Sequence, residues 1–83
     1  MQSLTQEQVI MIVARQFDDP GVTIDADSSM DNVADWDSLV HLGILVSLDV
    51  ELEGRAAAVK KLAACRSVKE IVSCLAEHQL LTQ

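Results

Sequence analysis

The stretch "ADWDSLVHLGIL", residues 34–45, decides how this sequence is read, because an acidic loop ends there and an apolar helix begins. Trp36 is the chain's only tryptophan, and Ser38 stands between Asp37 and a run of aliphatic residues. Serine is favoured at a helix N-terminus, where its hydroxyl caps free backbone N–H groups. Capping is therefore the ordinary interpretation of Ser38, and chemistry at its hydroxyl is the alternative.

The helix predicted from Ser38 to about Glu53 has two distinct faces when its residues are placed at about 100° per step. One stripe, expected to be buried, consists of Ile44, Leu48 and Leu52 with His41 nearby. The face on the side of Ser38 mixes aliphatic and acidic residues, namely Leu42, Val46, Asp49 and Glu53. Exposed aliphatics surrounded by charge indicate a docking surface. The alternative is that this face packs against another helix.

Capping residues and turn residues mark the predicted helix boundaries in the first half of the chain. Thr5 and Gln8 form a capping box for a first helix predicted over Thr5–Phe17, and "DDPG" at residues 18–21 predicts a turn. Residues 22–37 show no sustained period and predict a long loop. The expected anchors of this loop in the core are Ile24, Met30 and Val33.

The second half of the chain predicts two more helices. Gly54 is a plausible stop for the helix that begins at Ser38, and "AAAVKKLAA" at residues 56–64 predicts a short third helix with Val59 and Leu62 facing inward. Ser67 and Glu70 form a capping box for the last helix. The sequence thus predicts one all-α domain over residues 1–83, a small four-helix bundle of three longer helices and one short helix. We expect it to be a monomer, because no long heptad seam is present.

The charge of the chain is concentrated in its middle. The net charge is −7, and ten of the thirteen acidic residues lie between Asp18 and Glu53. Such a segment repels nucleic acid and anionic membranes and attracts basic protein surfaces, although a solvated acidic face that aids solubility is the simpler alternative. No apolar run is long enough to span a bilayer and the N-terminus lacks a signal pattern, so we expect a cytoplasmic protein with no membrane partner.

Several site classes fit the sequence poorly. Asp25, Asp27, Ser29 and Asp31 have EF-hand spacing, but Met30 and Trp36 occupy the glycine and glutamate positions of that loop, so no metal site is predicted. Ser38 lacks a G-x-S-x-G elbow, and His41 has no orienting acid for a catalytic triad. Cys65 and Cys74 form no CxxC motif, and their nine-residue spacing predicts ordinary thiols that face differently if both lie on helices.

The tripeptide "DSL" at residues 37–39, which opens a helix after a long acidic loop, resembles the 4′-phosphopantetheine attachment motif of acyl carrier proteins. The resemblance extends over nearly the whole chain, through the first helix, the loop anchored by Met30 and Val33, "LVSLDVEL" at 45–52 and "SVKEIVSCL" at 67–75. The variant "WDSL" at 36–39 is similar to stand-alone carriers of specialised acyl, polyketide and nonribosomal peptide pathways.

The resemblance implies a carrier that is not itself an enzyme. Ser38 would receive phosphopantetheine from coenzyme A through a Mg²⁺-dependent phosphopantetheinyl transferase, and the terminal thiol would carry an acyl group as a thioester. Asp37 would help to position the transferase. Acyl-loading and acyl-processing enzymes with basic patches would recognise Leu39, Leu42, Val46, Asp49 and Glu53. Trp36 would cover the base of the arm, touch partner proteins or only pack the loop against the bundle.

Some residues depart from the family pattern. The chain has "ELEGRAAAV" at 51–59 where the family often has an aromatic residue and a "GI-x-I-P"-like stretch, and Lys60 and Lys61 stand in a region that is often acidic. Gly43 interrupts the second helix, either to leave room for cargo or to satisfy packing. These departures favour a dedicated pathway over a partnership with the housekeeping fatty-acid enzymes. The alternatives are an aminoacyl or aryl (peptidyl) carrier and an unmodified helical adaptor.

Overall fold

Three α-helices form the framework of the computed structural model, which describes residues 3–17 and 22–82. They are α1 (Gln6–Ala14), α2 (Ser38–Glu51) and α3 (Val68–Glu77). Across these two ranges the backbone forms no β-strand, only two isolated bridges. The predicted all-α class is confirmed. The turn expected at residues 18–21 lies outside the described residues.

Helix α1 begins as its capping signal predicts. The Thr5 hydroxyl accepts the Gln8 backbone N–H at 3.1 Å, and the Gln8 side chain accepts the Thr5 N–H at 2.9 Å. The helix ends at Ala14, before the predicted Phe17. It ends early because the Gln16 and Phe17 N–H groups bond to carbonyls three residues back, which is the tighter 3₁₀ pattern common in a last turn.

Helix α2 buries the stripe that its sequence predicts. His41, Ile44, Leu48 and Leu52 are all buried. Beyond the helix, Glu53 and Gly54 adopt positive φ angles of 56° and 88°, and the Gly54 N–H donates to the Asp49 carbonyl at 2.8 Å. This left-handed turn is a common way for a helix to end, and it confirms Gly54 as part of the stop.

The short third helix of the predicted bundle is not α-helical. Two 3₁₀ segments, Ala56–Ala58 and Lys60–Ala64, take its place. Val59, with φ −99° and ψ 87°, lies outside the helical region and separates them, and neither segment is capped by the side chain of its own N-cap residue. Val59 and Leu62 are nevertheless buried as predicted, because an inward-facing position does not require an α-helical backbone.

The loop before α2 is held in place by the N-terminus of α3. The Met30 N–H donates to the Arg66 carbonyl at 2.8 Å, and the Val68 N–H donates to the Ser28 carbonyl at 3.0 Å. The predicted anchors Ile24, Met30 and Val33 pack against the core. The chain therefore reaches the beginning of α2 from a fixed direction, although it has no regular secondary structure there.

Candidate functional site

The first turn of α2 presents the serine singled out by the sequence. Asp37, in an extended conformation, is the N-cap, and its carboxylate accepts the Val40 N–H at 3.0 Å. Ser38 is the first helical residue; its side chain is exposed and makes no hydrogen bond to any described residue. The interpretation of Ser38 as the cap is therefore wrong, since Asp37 has that role and leaves the Ser38 hydroxyl accessible.

Trp36 lies behind this turn in the core. Its side chain is 2% exposed, its indole N–H donates to His41 Nδ1 at 3.3 Å, and its ring meets Phe17 edge-on with centroids 6.4 Å apart. Of the alternatives for Trp36, packing of the loop against the bundle matches this burial. Very little indole surface is left for an arm or a partner to contact.

A shallow groove runs from Ser38 between α2 and the segment that leads to α3. Its volume is about 480 Å³, and its walls include Met30, Ser38, Leu42, Leu45 and Arg66. A second apolar cavity of about 330 Å³, between α2 and the 3₁₀ segments, shares Leu45 with it. A chain attached at the Ser38 oxygen therefore has space beside the helix without displacement of the core.

The aliphatic residues on the Ser38 side of α2 face solvent. Leu39 is 77% exposed, and Leu42 and Val46 are each 57% exposed. The alternative that this face packs against another helix is wrong for Leu42 and Val46, the two aliphatic residues predicted on it. Val50, which the sequence analysis did not assign to the face, is 71% exposed and extends it. We call Leu39, Leu42, Val46 and Val50 the apolar face of α2.

The two acidic residues assigned to the recognition surface differ in their surroundings. The Asp49 carboxylate, half-buried, accepts the Ala57 N–H at 2.9 Å and so caps the first 3₁₀ segment. Glu53 is exposed in the left-handed turn that follows α2. Asp49 therefore stabilises the start of the first 3₁₀ segment, a role that its position on the helix does not predict.

Gly43 faces the end of α1. A Cβ atom at this position would lie 2.7 Å from the Gln16 side-chain oxygen, and the same Gln16 amide donates to the Ser47 hydroxyl at 3.0 Å. This contact supports the packing explanation for the glycine, because the space that it leaves is filled by Gln16.

The two cysteines are ordinary buried thiols, as predicted, and both line one surface pocket. Both are free, and the Cys65 thiol donates to the Lys61 backbone carbonyl at 3.3 Å. The helical spacing argument does not apply to this pair, because Cys65 follows the second 3₁₀ segment on extended backbone. Burial, reinforced by the neighbouring Cys74, raises the pKa of Cys65 to about 12, and burial also raises the pKa of Cys74.

We expect these thiols to react slowly in the folded protein. With the pKa of Cys65 raised to about 12, few molecules carry the thiolate that attacks iodoacetamide near pH 8. Alkylation of the native protein, followed by mass spectrometry, should be at least about a hundredfold slower than in urea. The same shift lowers stability as pH rises from 9 toward 12, because the unfolded thiol loses its proton first. Equal alkylation rates with and without urea would contradict the burial of the pair.

The acidic loop before α2 is stabilised by hydrogen bonds between its own side chains and backbone. The Asp25 carboxylate accepts the Asp27 N–H at 2.9 Å and the Ser28 hydroxyl at 3.3 Å.

Within residues 3–17 and 22–82, no three His, Cys, Asp or Glu side chains converge as a metal site would require. Nor does any helix in those ranges have the length and apolar character needed to cross a membrane.

Comparison with known protein families, curated proteins and solved structures finds no match to this chain. Inference about function therefore depends on the residues around the first turn of α2 and on the surface beside it.

Proposed function

We propose that this protein is an acyl carrier protein that is modified at Ser38 and presents thioester-bound acyl groups to the enzymes of a lipid or specialised biosynthetic pathway. The observation that carries the proposal is the accessible Ser38 hydroxyl in the first turn of α2, directly after the Asp37 cap. The sequence "DSL" gives this turn its resemblance to carrier proteins, and the buried Trp36 and the capped helix hold it in a defined geometry. The proposal includes a carrier-like fold, namely a four-helix bundle in which the two 3₁₀ segments take the place of the short third helix.

The local geometry suits attachment of a phosphate. In the transfer, the Ser38 oxygen bonds to the β-phosphorus of coenzyme A, the bond from that phosphorus to the 3′,5′-ADP portion breaks, and the hydroxyl proton passes to a base. Free N–H groups and the helix dipole favour an anion at the N-terminus of α2, where the resulting phosphodiester would lie. The partner transferase would supply the Mg²⁺. The bound arm supplies a thiol that forms the thioester, and the groove beside Ser38 has space for part of the arm.

The apolar face of α2 supports a role in transient docking. Its side chains are exposed next to Ser38, and acidic residues surround them. Apolar contacts of this kind supply affinity, whereas opposite charge on a partner increases the rate of encounter and keeps binding reversible. A flexible arm raises the effective concentration of its cargo at whichever enzyme is docked.

The proposal is tested by loading the protein directly. Purified protein is incubated with coenzyme A, Mg²⁺ and a broad-specificity phosphopantetheinyl transferase, and its intact mass is measured. We expect the mass to increase by one phosphopantetheine group, located at Ser38 by fragmentation. Absence of this increment would favour the unmodified adaptor. Loading followed by acceptance of amino acids or aryl acids alone would identify the aminoacyl or aryl carrier.

Docking by the apolar face predicts a specific kinetic defect. Leu42→Ser should raise the KM of the transferase for this protein about tenfold with little change in kcat, since truncation of a central interface residue commonly costs more than 1 kcal/mol. Met11, which is 54% exposed on α1, provides the matched control as Met11→Ser. The measurement is a steady-state titration of each variant. Equal KM values for the two variants would show that the transferase docks elsewhere.

A further inference from the structure

A chain of buried hydrogen bonds lies directly behind Ser38. The Trp36 indole N–H donates to His41 Nδ1 at 3.3 Å, and His41 Nε2 lies 3.0 Å from the Leu62 carbonyl oxygen. Trp36 and His41 are both buried, at 2% and 6% exposure, and their rings stack with centroids 6.2 Å apart. We call this set, Trp36–His41–Leu62, the histidine bridge.

The two partners of His41 require one particular tautomer of its ring. An indole N–H only donates and a backbone carbonyl only accepts. Nδ1 must therefore be unprotonated toward Trp36, and Nε2 must carry the proton toward Leu62. Both ring nitrogens of His41 are engaged, so replacement by an apolar residue leaves a buried donor and a buried acceptor without partners.

The histidine bridge connects three parts of the chain around the serine. Trp36 precedes the Asp37 cap, His41 lies one turn into α2, and Leu62 lies in the second 3₁₀ segment. The His41 N–H also donates to the Asp37 carbonyl at 2.9 Å, within the helix. Trp36 and His41, which flank the first turn of α2, are thus joined to each other and, through His41, to the second 3₁₀ segment.

We propose that His41 is a positioning residue for modification of Ser38. The inference rests on the proposed function. It makes modification of Ser38 depend on a residue, His41, that lies outside the "DSL" motif. His41 fixes Trp36, Trp36 fixes the backbone that enters the Asp37 cap, and the cap fixes the direction of the Ser38 hydroxyl. Loss of the bridge lets this turn move relative to the docked transferase, and small displacements of a reacting group lower the rate of the chemical step.

Kinetics of three variants test the proposal. His41→Leu removes both hydrogen bonds, Trp36→Phe removes only the indole donor, and His41→Gln retains a donor and an acceptor. We expect His41→Leu to lower the kcat of the transferase about tenfold with KM unchanged, Trp36→Phe to lower it less, and His41→Gln to recover part of the loss. The matched control is His78→Leu, because His78 is exposed and its ring Nδ1 lies 2.9 Å from the Cys74 carbonyl oxygen, within the same helix end.

A second readout reports on the bridge without the transferase. Trp36 supplies the only indole N–H in the chain, so its single ¹⁵N–¹H resonance can be followed without ambiguity. We expect this proton to exchange slowly with solvent in the wild type and in His78→Leu, and at least about tenfold faster in His41→Leu. All rates are measured well below the midpoint of thermal unfolding of each variant, so that global instability does not contribute.

The outcomes separate the two proposals. Absence of loading in the wild type overturns the proposed function, and the inference falls with it, whatever the indole resonance shows. Loading of the wild type together with an unchanged kcat in both His41→Leu and Trp36→Phe overturns the positioning role alone. A lowered kcat with faster indole exchange, and partial recovery in His41→Gln, supports it.

Discussion

Replacement of Ser38 with alanine is expected to abolish phosphopantetheine loading completely while the fold stays intact. The hydroxyl oxygen is the atom that would form the new bond to phosphorus, and alanine offers no substitute. The fold should tolerate the change because the Ser38 side chain is exposed and Asp37, rather than Ser38, caps α2. Alanine also has the highest intrinsic helix propensity. Intact mass after incubation with the transferase gives the loading, and circular dichroism during heating gives the stability.

The matched control for this substitution is Ser73→Ala. Ser73 is an exposed serine on α3. Its replacement tests whether loading depends on any exposed serine of a helix or on Ser38 specifically. Ser73→Ala should load like the wild type. A phosphopantetheine increment that persists in Ser38→Ala would show that another residue is modified, and the assignment of the site would be lost.

Much of the fold is encoded in short-range signals. Thr5 and Gln8 form the predicted reciprocal cap, and the Ser67 hydroxyl accepts the Glu70 N–H at 3.1 Å at the beginning of α3. These interactions depend on residues three apart, so a sequence pattern is enough to find them. The buried stripe of α2 was predictable for the same reason, because helical periodicity alone places its members on one side.

The parts that the sequence analysis missed depend on contacts between distant segments. Cys65, on extended backbone, lines the same pocket as Cys74 of α3, and Asp49 caps a segment that lies beyond a left-handed turn. The bond from Trp36 to His41 crosses from an irregular loop into a helix, at a spacing that no regular structure repeats. No local signal marks such pairs, since they form only when loop, helix and 3₁₀ segments pack together.

The site also shows how the core determines what the surface presents. Because α2 turns one stripe fully inward, its opposite side must carry the remaining aliphatic residues into solvent. Leu39 and Val50 would be costly to expose in a protein without a partner for them, because contiguous apolar patches promote association. Acidic residues near this face keep it soluble and, in the proposed function, direct it toward basic enzymes. Stability and docking are therefore set by opposite sides of one helix.

Truncation of Leu48 is expected to cause the largest loss of stability that we predict. Leu48 is 0% exposed in the middle of α2, within the hydrophobic core. Leucine-to-alanine substitutions at such positions cost about 2–5 kcal/mol, through lost transfer energy and the cavity that remains. A domain of 83 residues has a total free energy of unfolding of about 4–12 kcal/mol. Leu48→Ala should therefore remove a large share of the stability, measured by urea denaturation followed at 222 nm and by Trp36 fluorescence.

The same helix provides the control, because Leu39→Ala makes the identical chemical change on its exposed face. Leu39 is 77% exposed, so its truncation should change the free energy of unfolding by no more than about 0.5 kcal/mol. Only Leu39→Ala should weaken recognition by the transferase under conditions where both variants are folded. Equal losses of stability in the two variants would mean that α2 does not turn the Leu48 side inward, and the exposed position of Ser38 would then have no basis, since the orientation of this helix determines both.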